Sequence, residues 1–366
     1  MTLALSPVAT PLLARPRIGF LGVGWIGRNR MDALAQSGLI EIVAVSDPIA
    51  ENAAAAAAIG QCGICGSLNE LLDAGLDGLV IATPSALHAD QTIAALERGV
   101  AVFCQKPLGR TAAETADVVA AARATDRLLG VDLSYRYVHG ITLIRELIQR
   151  GELGTVYAAD LVFHNAYGPD KPWFYDAALS GGGCVIDLGS HLVDLALWML
   201  QDGPVVGVAS QLFGKGRRLT LPTSSVEDYA TAQLDFTGGA SVRIGCSWNL
   251  PAGCDAVIEA SFYGTKGGAT LRNVDGSFYD FRAERLHGTS REILSVPPDG
   301  WGGRAAVDWA SRLAAGQGFD PQAEKLVTLA AVLDEVYGRN GPAEVPPRDT
   351  RAELIASELA EAAVGL

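Results

Sequence analysis

The sequence predicts an α/β protein made of two unlike sheets: an N-terminal, doubly wound parallel sheet, followed by a C-terminal α+β domain with a large open, mainly antiparallel sheet. Three observations predict it. From Arg17 to about Tyr137, short β-branched runs alternate with Ala-rich stretches of helical period. A G-x-G-x-x-G of Gly22, Gly24 and Gly27 stands where the first run meets the first helical stretch. In the second half of the chain the period changes to two, with glycine turns joining the runs.

Taken in order, residues 1–15 read as a flexible tail: the apolar start lacks a basic segment ahead of it and is interrupted by Pro7 and Pro11, which argues against a signal peptide. Next, RIGFLGVG, EIVAVSDP, DGLVIATP and VAVFCQKP read as strands. Between and after them WIGRNRMDALAQSG, ENAAAAAAIG, HADQTIAALERG and TAAETADVVAAARATDRLLG read as helices closing on glycine. The alanines at 53–58 belong to such a helix, since Ala is the best helix former. After ITLIRELIQRGELG the texture changes. The stretch GGGCVIDLGSHLVDL, 181–195, reads as a buried helix entered through three glycines. VEDYATAQLDF, ASVRIGCSWNL, AVIEASFYG and ATLRNV alternate apolar with polar residues, as strands with one packed face do. AAVDWASRLAAG and AEKLVTLAAVLDEVYG return to helical period. The resulting division is 16–138 for the first domain and 139–366 for the second.

Composition removes several function classes. Hydrophobic residues make up 49 % and charged residues 19 % of 366, which describes a globular chain, and no uninterrupted apolar run is long enough to span a bilayer. The net charge is −13, with no stripe of Lys and Arg, so neither nucleic acid nor an anionic membrane is an expected partner. Six cysteines without scaffold spacing imply reduced thiols and a cytoplasmic location. Cys62 and Cys65 form a C-x-x-C, but further ligands are missing nearby, so they read as small apolar fillers and no metal is expected.

The glycine motif has the context that gives it meaning. It follows a strand and opens a helix, so Gly22, Gly24 and Gly27 allow a tight turn and the approach of a pyrophosphate to the free N–H groups of the helix start at Trp25 and Ile26. Asp47, at the end of the second strand, is placed to accept the ribose hydroxyls of an adenosine and to repel a 2′-phosphate. NAD rather than NADP is the cofactor expected. Ligands of open α/β sheets lie beyond the carboxyl ends of the strands. Thr83, Pro84, His88, Lys106 and Pro107 should therefore border the cofactor's nicotinamide end.

The buried helix poses a separate problem. Asp187, Ser190, His191 and Asp194 form a polar stripe among Val185, Ile186, Leu188, Leu192, Val193 and Leu195. Leaving such groups buried and unpaired costs roughly 1 to 3 kcal/mol each, so the stripe must face partners or a cavity. Asp194 reads as a structural hydrogen-bonding residue.

The glycine loop, Asp47, the QKP at 105–107 and the GGG-x-x-x-D-x-x-x-H at 181–191, in that order, resemble the Gfo/Idh/MocA family from about residue 16 to the end. The resemblance implies a Rossmann domain joined to an open-sheet domain, a sugar or inositol dehydrogenase activity, and Lys106, Asp187 and His191 as the catalytic set. Where the family usually has Glu-Lys-Pro, this chain has Gln105-Lys106-Pro107, which makes the local charge one unit more positive.

The expected function is reversible oxidation of a secondary hydroxyl of a sugar, inositol or sugar derivative, with His191 as base, Lys106 on the reacting oxygen and Asp187 orienting the set. Tyr135, Arg136, His164, Trp173 and Tyr175 are further candidates for the substrate pocket. Two alternatives stay open: cleavage of glycosides by transient oxidation on a retained NAD, and a nucleotide-sensing regulator without catalysis. Self-association as a homodimer or homotetramer through the C-terminal sheet is also expected, on the strength of alternating Ala232, Leu234, Val242 and Ile244.

Overall fold

A computed structural model describes residues 15–200 and 203–339. Nearly all of the expected tail lies outside the described residues. The first sheet has six parallel strands, β1 Arg17–Leu21, β2 Glu41–Ser46, β3 Gly63–Ile64, β4 Gly78–Ile81, β5 Ala101–Cys104 and β6 Leu129–Val131, in the order β3-β2-β1-β4-β5-β6. Strand order reverses between β1 and β4, which places the ligand crevice of such a sheet above the glycine turn. The helices are α1 Trp25–Ser37, α2 Ala50–Gly60, α3 Leu68–Leu72, α4 Ser85–Glu97 and α5 Ala112–Ala124.

Two of these strands escape a reading by periodicity. The segment 128–130, expected as the end of a helix, enters β6, because α5 stops at Thr125 and the chain turns through Asp126 at positive φ. β3 is only two residues long and carries no pattern.

The second sheet has nine strands: β7 Val156–Asn165, β8 Val205–Gly214, β9 Arg217–Arg218, β10 Tyr229–Phe236, β11 Ser241–Ser247, β12 Ala256–Gly264, β13 Gly267–Asn273, β14 Phe281–His287 and β15 Ser290–Ser295. Their order is β15-β14-β13-β12-β7-β11-β10-β8-β9, antiparallel except for the β7–β11 pair. One face is covered by α6 His139–Gln149, α8 Ser190–Leu200 and α10 Glu324–Val336, while the short α7 Ala177–Ser180 packs through Leu179 on Ala86 of α4. α9 Arg304–Ala314 returns to the first domain, where Trp309 packs beside Phe103 of β5.

Burial corrects one argument for self-association. Ala232, Leu234, Val242 and Ile244 are buried in the chain's own core with Val185, Leu188 and Val193, so they offer nothing to a second copy. The opposite face of the same strands carries Thr231, Gln233, Asp235 and Arg243, and Arg243 pairs there with Asp160 at 2.6 Å. A second correction concerns hydropathy. The helical stretch Ala177–Leu200 is long and apolar enough to cross a membrane by length and composition, but 78 % of its apolar window is buried in the fold. It is the core helix beneath the large sheet.

Candidate active site

The cofactor end is built by backbone. Gly22 has φ +80°, and a Cβ there would lie 2.6 Å from the Ala82 carbonyl oxygen; one at Gly27 would lie 2.1 Å from that of Gly22. Gly24 differs, since a Cβ would meet nothing within 4 Å, so the protein itself does not require a glycine there. It leaves a cradle open in front of α1, whose N-terminus has no side-chain cap. Asp47 fixes the edge of that cradle, with Oδ2 accepting from the Val23 N–H at 2.7 Å and Oδ1 from the Ile49 N–H at 2.9 Å. Oδ1 also accepts from Asn52 Nδ2 at 3.5 Å, whereas Oδ2 accepts only from Val23 among the described residues and keeps a lone pair that can receive a ribose hydroxyl. Open cradle, uncapped helix and fixed carboxylate together fit a dinucleotide. Trp25 is exposed beside the cradle and Ile26 half-buried.

His88 is placed differently from its neighbours. It is buried, with Nδ1 at 2.6 Å from the Pro107 carbonyl and Nε2 at 2.7 Å from the Thr83 carbonyl, so it braces the Thr83–Pro84 turn against the Lys106–Pro107 turn. Thr83 donates to Gln91 Oε1 at 2.6 Å.

The candidate reacting end is assembled from distant segments. Lys106, just past β5, donates from Nζ to Asp187 Oδ1 at 2.7 Å and to the Asp187 carbonyl at 2.6 Å. Trp248, after β11, donates from its indole to Asp187 Oδ2 at 3.1 Å. A cation and an indole thus hold the carboxylate on both oxygens. Four residues on, His191 is buried and its Nδ1 has no hydrogen-bond partner among the described residues. Burial chiefly, then the positive charges of Lys106 and Arg30, hold its pKa well below 6.5. Its ring packs on Tyr135 at 4.8 Å between centroids, and Tyr135 in turn packs against Phe163, Phe281 and Trp301.

The helix carrying these residues is not regular. Val185–Gly189 is a π-helical turn before α8, where an uninterrupted α-helix is expected from sequence. Glu227 sets its entrance: the buried carboxylate accepts from the N–H groups of Gly183 and Val185, and from the Tyr337 hydroxyl at 2.7 Å. A Cβ at Gly183 would lie 1.9 Å from the Glu227 carbonyl oxygen, and one at Gly182 2.1 Å from the Tyr337 hydroxyl. The bulky groups that demand these glycines therefore belong to the chain itself.

The remaining candidates are scattered. Arg136 donates from Nε to Asp194 Oδ2 at 2.8 Å and also pairs with Oδ1, which locks α8 to the segment before α6. His164 lies on the outer face of the large sheet, bonded to Ser247 Oγ at 2.7 Å and stacked on Tyr229, away from the face that α8 covers. Trp173 stacks on Phe174 at 3.8 Å, whereas half-exposed Tyr175 contacts Trp248 at 5.6 Å between centroids. Trp248, Glu227, Arg30 and Asp132 were not legible as site residues, because each follows or sits within an ordinary pattern and only the fold brings it near Lys106 or the helix entrance. Among the described residues no group of His, Cys, Asp and Glu gathers as a metal site.

Against known families, residues 16–133 match the model of an oxidoreductase family with an NAD-binding Rossmann fold, and residues 141–270 match the GFO/IDH/MocA C-terminal domain. The chain is 32 % identical to the rhizopine catabolism protein MocA of Rhizobium meliloti, over 71 % of this chain and 79 % of that protein. The protein belongs to the Gfo/Idh/MocA family of oxidoreductases. It is also 30 % identical to the inositol 2-dehydrogenase of Acidiphilium cryptum, over 70 % of this chain and 73 % of that one. The fold is shared with a levoglucosan dehydrogenase solved with NADH and levoglucosan, at a TM-score of 0.76 and 20 % identity, over 91 % of this chain and all of that one. This family member thus has a Rossmann domain for NAD or NADP, followed by an open-sheet domain.

Proposed function

We propose that the protein reversibly oxidises a secondary hydroxyl of a cyclic sugar, inositol or sugar derivative, with NAD as its cofactor. The observation that carries this reading is the Lys106–Asp187 contact at 2.7 Å, which joins the end of β5 to the helix of the second domain beside an imidazole whose Nδ1 has no hydrogen-bond partner among the described residues. A bound dinucleotide supplies the hydride acceptor. Lys106 donates a hydrogen bond to the reacting oxygen and stabilises charge growing on it. Asp187, held by Lys106 and Trp248, accepts from a neighbouring hydroxyl and orients the ring. His191 takes the hydroxyl proton; an imidazole kept neutral by burial is ready to accept one at ordinary pH.

The preference for NAD is supported by Asp47, whose carboxylate, fixed by Val23 and Ile49 at the end of β2, would repel a 2′-phosphate. We further propose association as a homodimer or homotetramer over the outer face of the large sheet; a monomer by light scattering at micromolar concentration overturns that point. The activity is tested with a panel of inositols, aldoses, glycosides and sugar acids, followed by NADH absorbance. Reduction of NAD by at least one polyol is expected. Aglycone release without net NADH would replace the reading with glycoside cleavage, and silence across the panel would favour a nucleotide sensor.

A further inference from the structure

Beside Lys106, three buried side chains from three elements converge. Arg30 comes from α1, Gln105 from the end of β5 and Asp132 from the end of β6, and all are less than a tenth exposed. Asp132 Oδ2 accepts from both Arg30 Nε and Gln105 Nε2, each at 2.5 Å. Arg30 Nη1 also donates to the neutral Asn29 side chain, at 2.6 Å. We propose that Asp132 is a positioning residue for the Lys106 segment: its carboxylate neutralises Arg30 beside the catalytic groups, and Gln105 and Asp132 form an amide–acid couple whose single charge can be exchanged between the two positions.

The charge count supports the couple. Were residue 105 also an acid, two carboxylates would meet at hydrogen-bond distance over one guanidinium, and both could not stay ionised. Were both residues amides, Arg30 would be left as a buried charge without a counter-ion, which is strongly destabilising. One acid in the pair satisfies Arg30. The amide in the other place supplies the second donor to Asp132, and with it ties the residue preceding Lys106. The backbone repeats that tie, because the Asp132 N–H donates to the Cys104 carbonyl at 2.9 Å.

The couple also reaches the imidazole. Charged groups acting on His191 are Lys106, itself paired with Asp187, and Arg30; Tyr135 packs on its face as a neutral ring. Removing the charge of Asp132 would expose His191 to an uncompensated Arg30, so the imidazolium would form only at lower pH.

The inference rests on the catalytic reading of Lys106 and His191, but its test does not need a known substrate. In the full chain, Asp132→Asn, Gln105→Glu and the double variant are compared by melting temperature, NAD binding and NMR titration of the His191 ring, assigned with His191→Ala. Each single variant should lower Tm by about 5 to 10 °C. Asp132→Asn should also shift the His191 titration to lower pH, which a merely structural residue would not do. The double variant should recover more than half of the Tm loss and return the titration toward its native position. Singles that fail to fold beside a double that folds support the exchange. A double variant no better than the sum of the singles overturns it, as does an Asp132→Asn protein with native Tm and native titration. A polyol panel that stays silent while the Tm cycle shows coupling would sink the catalytic reading alone.

Discussion

The two ends of the candidate site are made in opposite ways. At the cofactor end, the determinants lie between Gly22 and Asp47, and what they present is mostly backbone: a turn that only glycine can take, a helix start without a cap, and one carboxylate. At the reacting end, Lys106, Asp187, His191 and Trp248 come from three segments far apart in sequence, and each is held by a side chain from elsewhere. Backbone geometry is a local property and survives changes in distant residues. A site made of side-chain contacts across two domains transmits them. The cofactor end should therefore fail one function at a time, and the reacting end should fail as a unit.

The strongest way to break that comparison is at Lys106. Lys106→Ala leaves the Asp187 carboxylate with the Trp248 indole alone, and turnover should fall by roughly 100-fold or more, with His191→Ala close behind, while NAD affinity stays within threefold. In the native enzyme, oxidation should rise with pH along a limb lying below 6.5, because the buried imidazole loses its proton early, and that limb should be absent in His191→Ala. A tenfold loss of NAD affinity in either variant would show that the two ends are not separable.

Two glycines sharpen the comparison further. Gly183→Ala drives a methyl into the Glu227 carbonyl at 1.9 Å, so both thermal stability and turnover should collapse. Gly24→Ala meets no protein atom, so its Tm should stay within about 2 °C while NAD affinity falls about tenfold. Matching Tm losses in calorimetry would contradict the distinction.

Asp47→Ser is expected to have a smaller effect. It should narrow the preference for NAD over NADP by about tenfold without moving turnover at saturating NAD, and equal use of both cofactors by the native enzyme would refute the role given to Asp47. The smallest change belongs to His164. Bonded to Ser247 on the outer face, it should tolerate His164→Ala with less than a threefold change in kcat/KM; a hundredfold loss would move it into the pocket.

What could be known from sequence follows the same division. The glycine spacing, the strand ahead of it and the acid after the second strand are all local, so the α/β class, the mainly antiparallel second sheet and the dinucleotide-binding Rossmann domain were legible in the order of residues. So was the polar stripe of Asp187 and His191, since a buried helix that carries an acid and an imidazole needs a reason. The third dimension decided the rest. Period alone could not show that Val185–Gly189 opens into a π turn, nor that its entrance is set by Glu227, far along the chain, which accepts the N–H groups of Gly183 and Val185. Nor could it show which face of the large sheet the apolar residues occupy: alternation says that one face is packed, and only the placement of α8 says that the chain packs it itself. Gln105 illustrates the limit best. As a letter next to Lys106 it suggests a missing charge; in the fold that charge stands at Asp132, within hydrogen-bond reach, because neighbouring parallel strands end side by side whatever the length of chain between them.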